Sequence, residues 1–380
     1  MFIHDTRASI ALQKPPLVSV TEITTSLPAS RSLFLAGSAA EWKTKYMEQI
    51  PSSSAPKSLK LQDIIQDITI IDKHHAEIDV SFCYVAALYG FWSQVGAFRE
   101  SWKFHAIGDN VDSVHRLWIT THQRELRGQL ESFKDTLLNM TTPDSELLIM
   151  VHLLLMILHV PPEELQRFAG KSGEDAANEA FAILERWSNT EQSRRAVWHA
   201  GQIFHWASLL PAAELRDFYA VAVYFACLTM WTYGHLSVSS ACNSSKATGS
   251  VSQSLTPVDD SPIVHVNGKE SSETRAFIAG RMYMPALISI NSKAAMGEQQ
   301  EEAGNEKSIK LSDPNAVLKQ ARDLYRNNFP FHDGPLPPLV ENMSNLMKSL
   351  GSLSDNRFSR CVSPVERGSS DDQGGQRSYH

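Results

Sequence analysis

The chain has 380 residues, 42% of them hydrophobic, so it is long enough to bury a sizeable core. Its 35 basic and 42 acidic residues give a net charge of −7, which excludes a general attraction to nucleic acid or to anionic membranes. The four cysteines lie far apart and form neither the close pairs of a zinc site nor a small disulfide framework, which favours a reducing, intracellular compartment. The first residues lack the basic start and uninterrupted apolar core of a signal peptide.

The first fifty residues predict short helices separated by prolines. A helical piece over residues 5–13 is stopped by Pro15-Pro16. Residues 17–28 could be extended, or could form a connector across a helical surface. Residues 32–50 are predicted to be helical up to the Pro- and Ser-rich run that follows. Because a chain that begins on amphipathic material has few contacts for its first turn, we expect further sequence upstream of Met1.

Apolar spacing predicts three more helices before residue 140. Residues 61–71 carry apolar side chains at i, i+3, i+4 and i+7, which predicts one amphipathic helix of about three turns. Residues 82–98 form a second helix, with Gly90 and Gly96 at close-packing or end positions. Residues 111–139 are predicted to be a long surface helix with a single buried stripe of Leu126, Leu130, Phe133 and Leu137.

Two nearly uncharged stretches predict the central helices of a large soluble core. After the helix start at Thr142-Pro143-Asp144, residues 147–160 are almost continuously apolar. Two further helical pieces, 163–169 and 175–187, lead into residues 194–233, which predict two helices joined at Leu210-Pro211. The second of these contains sixteen residues without charge, and a bilayer needs about 20, so we interpret both stretches as core helices.

Composition changes in the C-terminal third. Residues 237–272 are rich in Ser, Thr, Asn, Gly and Asp and predict a disordered loop. Residues 273–290 resume helical spacing, with a kink at Pro285. The polar insert 291–311 is predicted to be disordered, and helices start at Asp313-Pro314 and at Leu339. Residues 351–380 are predicted to be a solvated, disordered tail.

These patterns predict an all-α fold, an irregular multi-helix bundle with two disordered polar inserts and a disordered C-terminal tail. The predicted organisation is an N-terminally truncated helical core over residues 1–236, the loop 237–272, C-terminal helices 273–350 that pack on the core and include the insert 291–311, and the tail 351–380. We find no internal repeat.

Histidines and acidic residues do not form a recognisable catalytic or metal pattern. His152 and His159 are two helical turns apart, about 10 Å, which is too far for a shared ion. His199 and His205 are six residues apart and therefore lie on different faces of one helix, so both pairs are interpreted as core or helix-end histidines. His74-His75 with nearby Glu77 and Asp79 is interpreted as a solvated face, and His332-Asp333-Gly334 as a turn. Phosphate-binding, nucleophile-elbow and zinc-protease motifs are missing, so we expect neither catalysis nor a cofactor.

Aromatic residues at helical spacing in the central stretch are interpreted first as core residues. They could also line an apolar pocket for a small effector between the helices. An alternative reading of the chain is therefore an all-helical enzyme or a small-molecule-binding protein with a buried apolar site. The residues that carry the core or pocket interpretation are Trp198, Phe204, Trp206, Phe218, Tyr224 and Trp231.

The central stretch carries a resemblance to a known family. Residues 198–202 (WHAGQ) and 215–221 (LRDFYAV) resemble the C-terminal half of the fungal-specific transcription factor regulatory domain, a middle homology region of xylanolytic-activator type. The variety most similar to this chain is the one attached to Cys2His2 zinc fingers. Residues 5–7 (DTR), 39–43 (AAEWK), 339–343 (LVENM) and 350–351 extend the resemblance over most of residues 1–350.

The resemblance implies an all-α nuclear protein that regulates transcription by RNA polymerase II. It also implies an N-terminal zinc-containing DNA-binding module, but the chain has no closely spaced Cys pair to complete the ligand set of such a module. We therefore expect zinc and DNA binding only through a missing module, and no membrane. We expect partners to be proteins, including a homo- or heterodimer that could titrate full-length relatives, and a small-molecule effector.

Overall fold

The computed structural model describes residues 1–49, 58–106, 113–247, 262–281, 283–289, 308–330 and 334–362. Within these ranges the protein is all-α, with fifteen helices and one small sheet of three strands. The helices up to residue 138 are α1 Phe2–Leu12, α2 Arg31–Phe34, α3 Ala39–Gln49, α4 Leu61–Gln66, α5 Thr69–Lys73, α6 Val80–Ala106 and α7 Ser113–Leu138. The remaining helices are α8 Ser145–His159, α9 Pro162–Phe168, α10 Glu174–Ser188, α11 Glu191–Ala207, α12 Asp217–Ala247, α13 Ser272–Ile278, α14 Pro314–Asn328 and α15 Pro338–Val362.

The core is centred on α8, which is apolar on all sides and buried from Leu147 to His159. Its start is fixed by Asp144, whose carboxylate accepts hydrogen bonds from the backbone N–H groups of Glu146 and Leu147. Helices α11, α12, α7 and α6 pack around it. The sequence-based prediction of two central core helices is thus confirmed, and the predicted buried stripe of α7 is also found.

None of the described helices is by itself long and apolar enough to cross a bilayer. The pair α8 and α9 reaches the required length and composition only together, and it bends by 79° between the two helices.

The prediction of one helix over residues 61–71 is wrong, because the helix breaks at Asp67. This residue has extended backbone angles, φ −139° and ψ 96°, and separates α4 from α5. Its carboxylate accepts hydrogen bonds from the backbone N–H and the hydroxyl of Thr69. Such a local side-chain bond competes with the helical hydrogen bond, although the apolar spacing continues through the break.

Residues 17–28 form a connector, the second of the two alternatives drawn from the sequence. They contain a short 3-10 turn at Val20–Glu22 and no β-strand. The segment is held by single bridges, from Ser26 to Lys60 and, just beyond it, from Ala29 to Ile78. Two of its backbone carbonyls, those of Val20 and Ile23, accept hydrogen bonds from Gln62 on α4.

The sheet corrects the predicted boundaries of the C-terminal third. β1 Ile263–His265 lies parallel to β2 Met284–Ile288, with Val264 opposite Pro285, and β2 lies antiparallel to β3 Ser308–Lys310. The helix predicted over 273–290 is therefore only α13 followed by a strand, because Pro285 favours extended backbone at Met284 and cannot donate a helical hydrogen bond. The carbonyl of Pro285 instead accepts from the Leu311 N–H at 3.0 Å.

The polar segments are shorter than predicted where the structure describes them. Helix α12 continues to Ala247, β1 and the start of α13 fall within the predicted loop 237–272, and β3 falls within the predicted insert 291–311. Helix α15 runs to Val362, beyond the predicted start of the tail. The rest of the predicted loop, insert and tail, residues 248–261, 291–307 and 363–380, lies outside the described residues.

Two helical glycines let the sheet region approach the central helices. A Cβ at Gly201 on α11 would lie 2.3 Å from the carbonyl oxygen of Val266. One at Gly234 on α12 would lie 1.9 Å from the carbonyl oxygen of Leu311. Next to Gly201, the Gln202 amide donates to the carbonyls of Val266 and Gly268. The residues that follow β1 and β3 therefore pack directly against the backbone of α11 and α12.

Candidate functional site

A pocket of about 500 Å³ opens between the first and last described helices. It is bounded by the end of α1, by α9 and the turn after it, by the first half of α12, and by α15. The volume falls in the range that small-molecule sites occupy. Its apolar lining consists of Ala11, Leu12, Ala169, Val221, Phe225, Leu339, Met343, Leu346 and Leu350, and its other lining residues are Gln166, Gly170, Lys171, Tyr224 and Ser349.

The turn after α9 places the polar edge of the pocket. Gly170 adopts φ 96°, a backbone conformation that L side chains rarely adopt, and this turns the chain sharply after the helix. The backbone N–H of Lys171 donates to the Gln166 carbonyl at 3.0 Å, which closes the turn. The Lys171 ammonium also donates to the Gln166 side-chain oxygen at 2.6 Å. Lys171 is thereby held at the pocket edge, and it is the one charged side chain among the described lining residues.

Tyr224 contributes the other titratable group of the lining. It lies on α12, and burial raises the pKa of its phenol to about 12. The phenol is therefore neutral at ordinary pH and able both to donate and to accept a hydrogen bond. The site combines a largely apolar wall, to which the Tyr224 side chain contributes, with an ammonium group at the edge.

The structure divides the six aromatic residues predicted as core or pocket. Tyr224 lines the pocket, whereas Trp198, Phe204, Phe218 and Trp231 are buried in the main core. Trp231 packs against Phe168, with ring centroids 5.4 Å apart. Trp206 is half-buried and packs against the same core. Helical spacing identified these side chains as inward-facing, but it carried no information about which of them lies beside a gap.

Sequence reasoning missed the surroundings of Arg7, because its partners are far away in the chain. The Arg7 Nε donates to the Tyr89 hydroxyl at 2.6 Å, and its Nη2 donates to the Tyr219 hydroxyl at 3.1 Å. Tyr219 in turn donates to the Glu146 carboxylate. The guanidinium also lies over the rings of Tyr89, Phe218 and Tyr219 at 5.4 to 5.6 Å. Burial opposes the charge of Arg7, yet the surrounding hydroxyls and carboxylate raise its pKa above the usual value.

A second feature that sequence reasoning missed is a group of three buried histidines between α8 and α11. His152 Nδ1 and His199 Nδ1 are 3.0 Å apart, and the ring of His159 is stacked with that of His199. Burial lowers the pKa of His152 and of His159 to about 3 and that of His199 well below its ordinary value. All three are therefore neutral at neutral pH. The interpretation of these residues as core histidines agrees with their burial. Spacing within one helix, however, could not predict a contact between histidines on two different helices.

Other polar groups lie at the surface or at a smaller cavity. His74 lies 3.3 Å from Glu77, on the surface as predicted. A smaller cavity of about 130 Å³ lies where the α11–α12 connection meets the end of α14. Asn328 at its edge accepts from the Leu215 N–H and donates to the carbonyls of Leu210 and Pro211, which fixes this connection. Within the described ranges, no group of three or more His, Cys, Asp or Glu side chains is arranged to hold a metal ion. His332 and Asp333 lie outside the described residues.

Comparison of the chain with models of protein families, with curated proteins and with solved structures finds no match. The interpretation of the pocket therefore depends on its own geometry and chemistry.

Proposed function

We propose that this chain is the regulatory domain of a fungal transcription factor, which controls transcription by RNA polymerase II from the nucleus. The resemblance of residues 198–202 and 215–221 to that family supports the proposal. DNA contact would come through a DNA-binding module outside this chain, since the zinc ligands of such a module are missing from its sequence. Zinc would accordingly belong to that module.

The pocket is the structural observation that best supports the proposal. It brings the first helix, the last helix and the central α12 to one apolar cavity. A bound molecule would contact all three and would favour the conformation in which they are packed together. Since α1 and α15 lie near the two ends of the chain, this equilibrium could be transmitted to a module or partner attached at either end. The pocket is accordingly the effector site of the proposed regulator.

The proposal is tested by joining the chain to an unrelated DNA-binding module and measuring output from a reporter gene transcribed by RNA polymerase II. We expect the fusion to raise or lower the output relative to the DNA-binding module alone. Ser349→Trp, which places a large side chain at the pocket lining, should change that output, and Ser352→Trp on the same helix outside the lining should not. A fusion that behaves like the bare module in every variant would show that the proposal is wrong.

A small-molecule-binding protein without a role in transcription is the second candidate, and the same pocket favours it. The two candidates differ in location and in reporter output. A fluorescent fusion that concentrates in the nucleus, together with a reporter response, supports the regulator. Binding to the pocket with neither result supports the second candidate.

A further inference from the structure

We propose that the pocket binds a medium-chain amphiphile with an anionic head, of the class of a free fatty carboxylate. The apolar walls from α12 and α15 would hold the chain, and Lys171 would hold the carboxylate at the edge. The inference rests on the proposed function, because it takes this pocket as the effector site.

The size and lining of the pocket indicate that the ligand has a flexible hydrocarbon chain. At about 30 Å³ per water-sized group, a volume of about 500 Å³ holds roughly 17 non-hydrogen atoms. Val221 and Phe225 on one side and Met343 and Leu350 on the other offer the occupant no charge. A flexible hydrocarbon chain fits such a wall, because its burial requires no polar partner.

Charge complementarity selects the head group. Lys171 is the one charged residue among the described lining, and no acidic side chain accompanies it there. Its ammonium has three donors, of which the bond to Gln166 uses one, so donors remain for a carboxylate. A cationic head would meet Lys171 as a like charge.

The longer stretches outside the described residues are poor occupants of this pocket on sequence alone. Residues 248–261, 291–307 and 363–380 are dominated by Ser, Gly, Asn, Gln and charged residues. None contains a run of apolar side chains long enough to replace a hydrocarbon chain. This favours an external ligand.

The test compares two amphiphiles with the same chain and opposite heads, dodecanoate and dodecyltrimethylammonium, each below its critical micelle concentration. Binding to the full chain is measured by titration calorimetry and by the shift of the thermal midpoint. We expect dodecanoate to bind about tenfold more tightly than the cation. Lys171→Met should weaken dodecanoate binding about fivefold without weakening the cation, and Lys171→Arg should retain the preference.

Pocket occupancy is tested separately with the matched pair Ser349→Trp and Ser352→Trp. Ser349 lines the pocket, so its Trp variant should lose dodecanoate binding, whereas the Ser352 variant should bind as the unchanged chain does. Circular dichroism of each variant establishes that it is folded, and Lys171→Met still decides the question if Ser349→Trp does not fold. Equal binding of both amphiphiles, no effect of Lys171→Met, or undiminished binding by folded Ser349→Trp would each overturn the inference.

The two proposals fail in different ways. If the reporter responds to Ser349→Trp but dodecanoate does not bind, the ligand class is wrong and the regulatory function stands. If dodecanoate binds with the expected dependence on Lys171 but the fusion never alters the reporter, the regulatory function is wrong and the binding site stands.

Discussion

Arg7 makes more specific polar contacts with distant parts of the chain than its place on a short N-terminal helix would suggest. Its planar guanidinium donates to two hydroxyls at once and lies over three rings. Lysine keeps the charge but has neither the fork of donors nor the flat face. We therefore expect Arg7→Lys to lower the free energy of unfolding by about 1–2 kcal/mol, measured by urea denaturation.

The control for this prediction is Arg31→Lys, at an exposed position on α2. Surface substitutions of this kind usually change stability by less than about 0.5 kcal/mol. Equal effects of the two substitutions would show that the charge of Arg7, and not its geometry, holds α1 in place.

The three buried histidines predict a loss of stability in acid. Their pKa values in the folded protein, about 3 for His152 and His159, lie below the value of about 6.5 in an unfolded chain. The unfolded state therefore binds more protons below pH about 6.5, so their contribution is fully present above that pH and is lost as the pH falls towards 3. Lys134, His205, Arg127 and Arg195 lie near enough to lower these pKa values further.

Removing one of these histidines should reduce the pH dependence. Between pH 6 and 4, His159→Gln should lower the slope of unfolding free energy against pH by about 1.4 kcal/mol per unit, the value for one proton. Urea denaturation at several pH values measures the slope. A His159→Gln slope equal to that of the parent chain would contradict the prediction.

At the scale of elements, the two close-packed glycines are predicted to be intolerant of even a methyl group. Gly201→Ala and Gly234→Ala would place Cβ 2.3 Å and 1.9 Å from carbonyl oxygens of residues in the sheet region. The backbone must then shift, and overpacking of this kind costs about 1–3 kcal/mol. Thermal denaturation of each variant measures the loss.

Gly128 on α7 provides the opposite case. A Cβ there would meet nothing within 4 Å, so Gly128→Ala should stabilise the protein by about 0.5–1 kcal/mol through helix propensity. If all three glycine substitutions shift the melting temperature in the same direction, then contact with the sheet region does not restrict the side-chain size at Gly201 and Gly234.

The elements also show where sequence patterns are reliable. Helix α7 was predicted from its apolar spacing, and α8 from its apolar run and the capping residue before it. Both signals act within one segment of the chain. The break at Asp67 and the strand at Pro285 were misjudged because apolar spacing passed through them. In the first, a local side-chain bond competes with the helix, and in the second, the strand partners lie twenty or more residues away.

At the scale of the whole molecule, the main core joins residues from Ile10 to Leu350, so the first helix should be required for stability. Ser9 on α1 accepts a hydrogen bond from the Trp92 indole at 2.7 Å, and Ile10 is fully buried. We expect a chain lacking residues 1–13 to lose at least about 3 kcal/mol and to expose Trp92, which fluorescence-detected urea denaturation would show.

Helix α3 provides the comparison for that truncation. Trp42 stacks on Tyr46 with centroids 4.8 Å apart, but both side chains are exposed. Trp42→Ala should therefore change stability by less than about 1 kcal/mol. A truncated chain no less stable than this variant would mean that α1 is not part of the cooperative core.

The all-α class, the two central core helices and the buried stripe of α7 could be predicted from the residues alone, because periodicity and capping act over a few neighbouring residues. It also marked Tyr224 as an inward-facing aromatic residue. The packing of distant helices places Lys171 and Tyr224 at one pocket, His152 against His199, and Arg7 among Tyr89, Phe218 and Tyr219, and no sequence pattern predicted these arrangements. These contacts join residues 47 to 212 positions apart, and their geometry depends on how whole helices pack against one another.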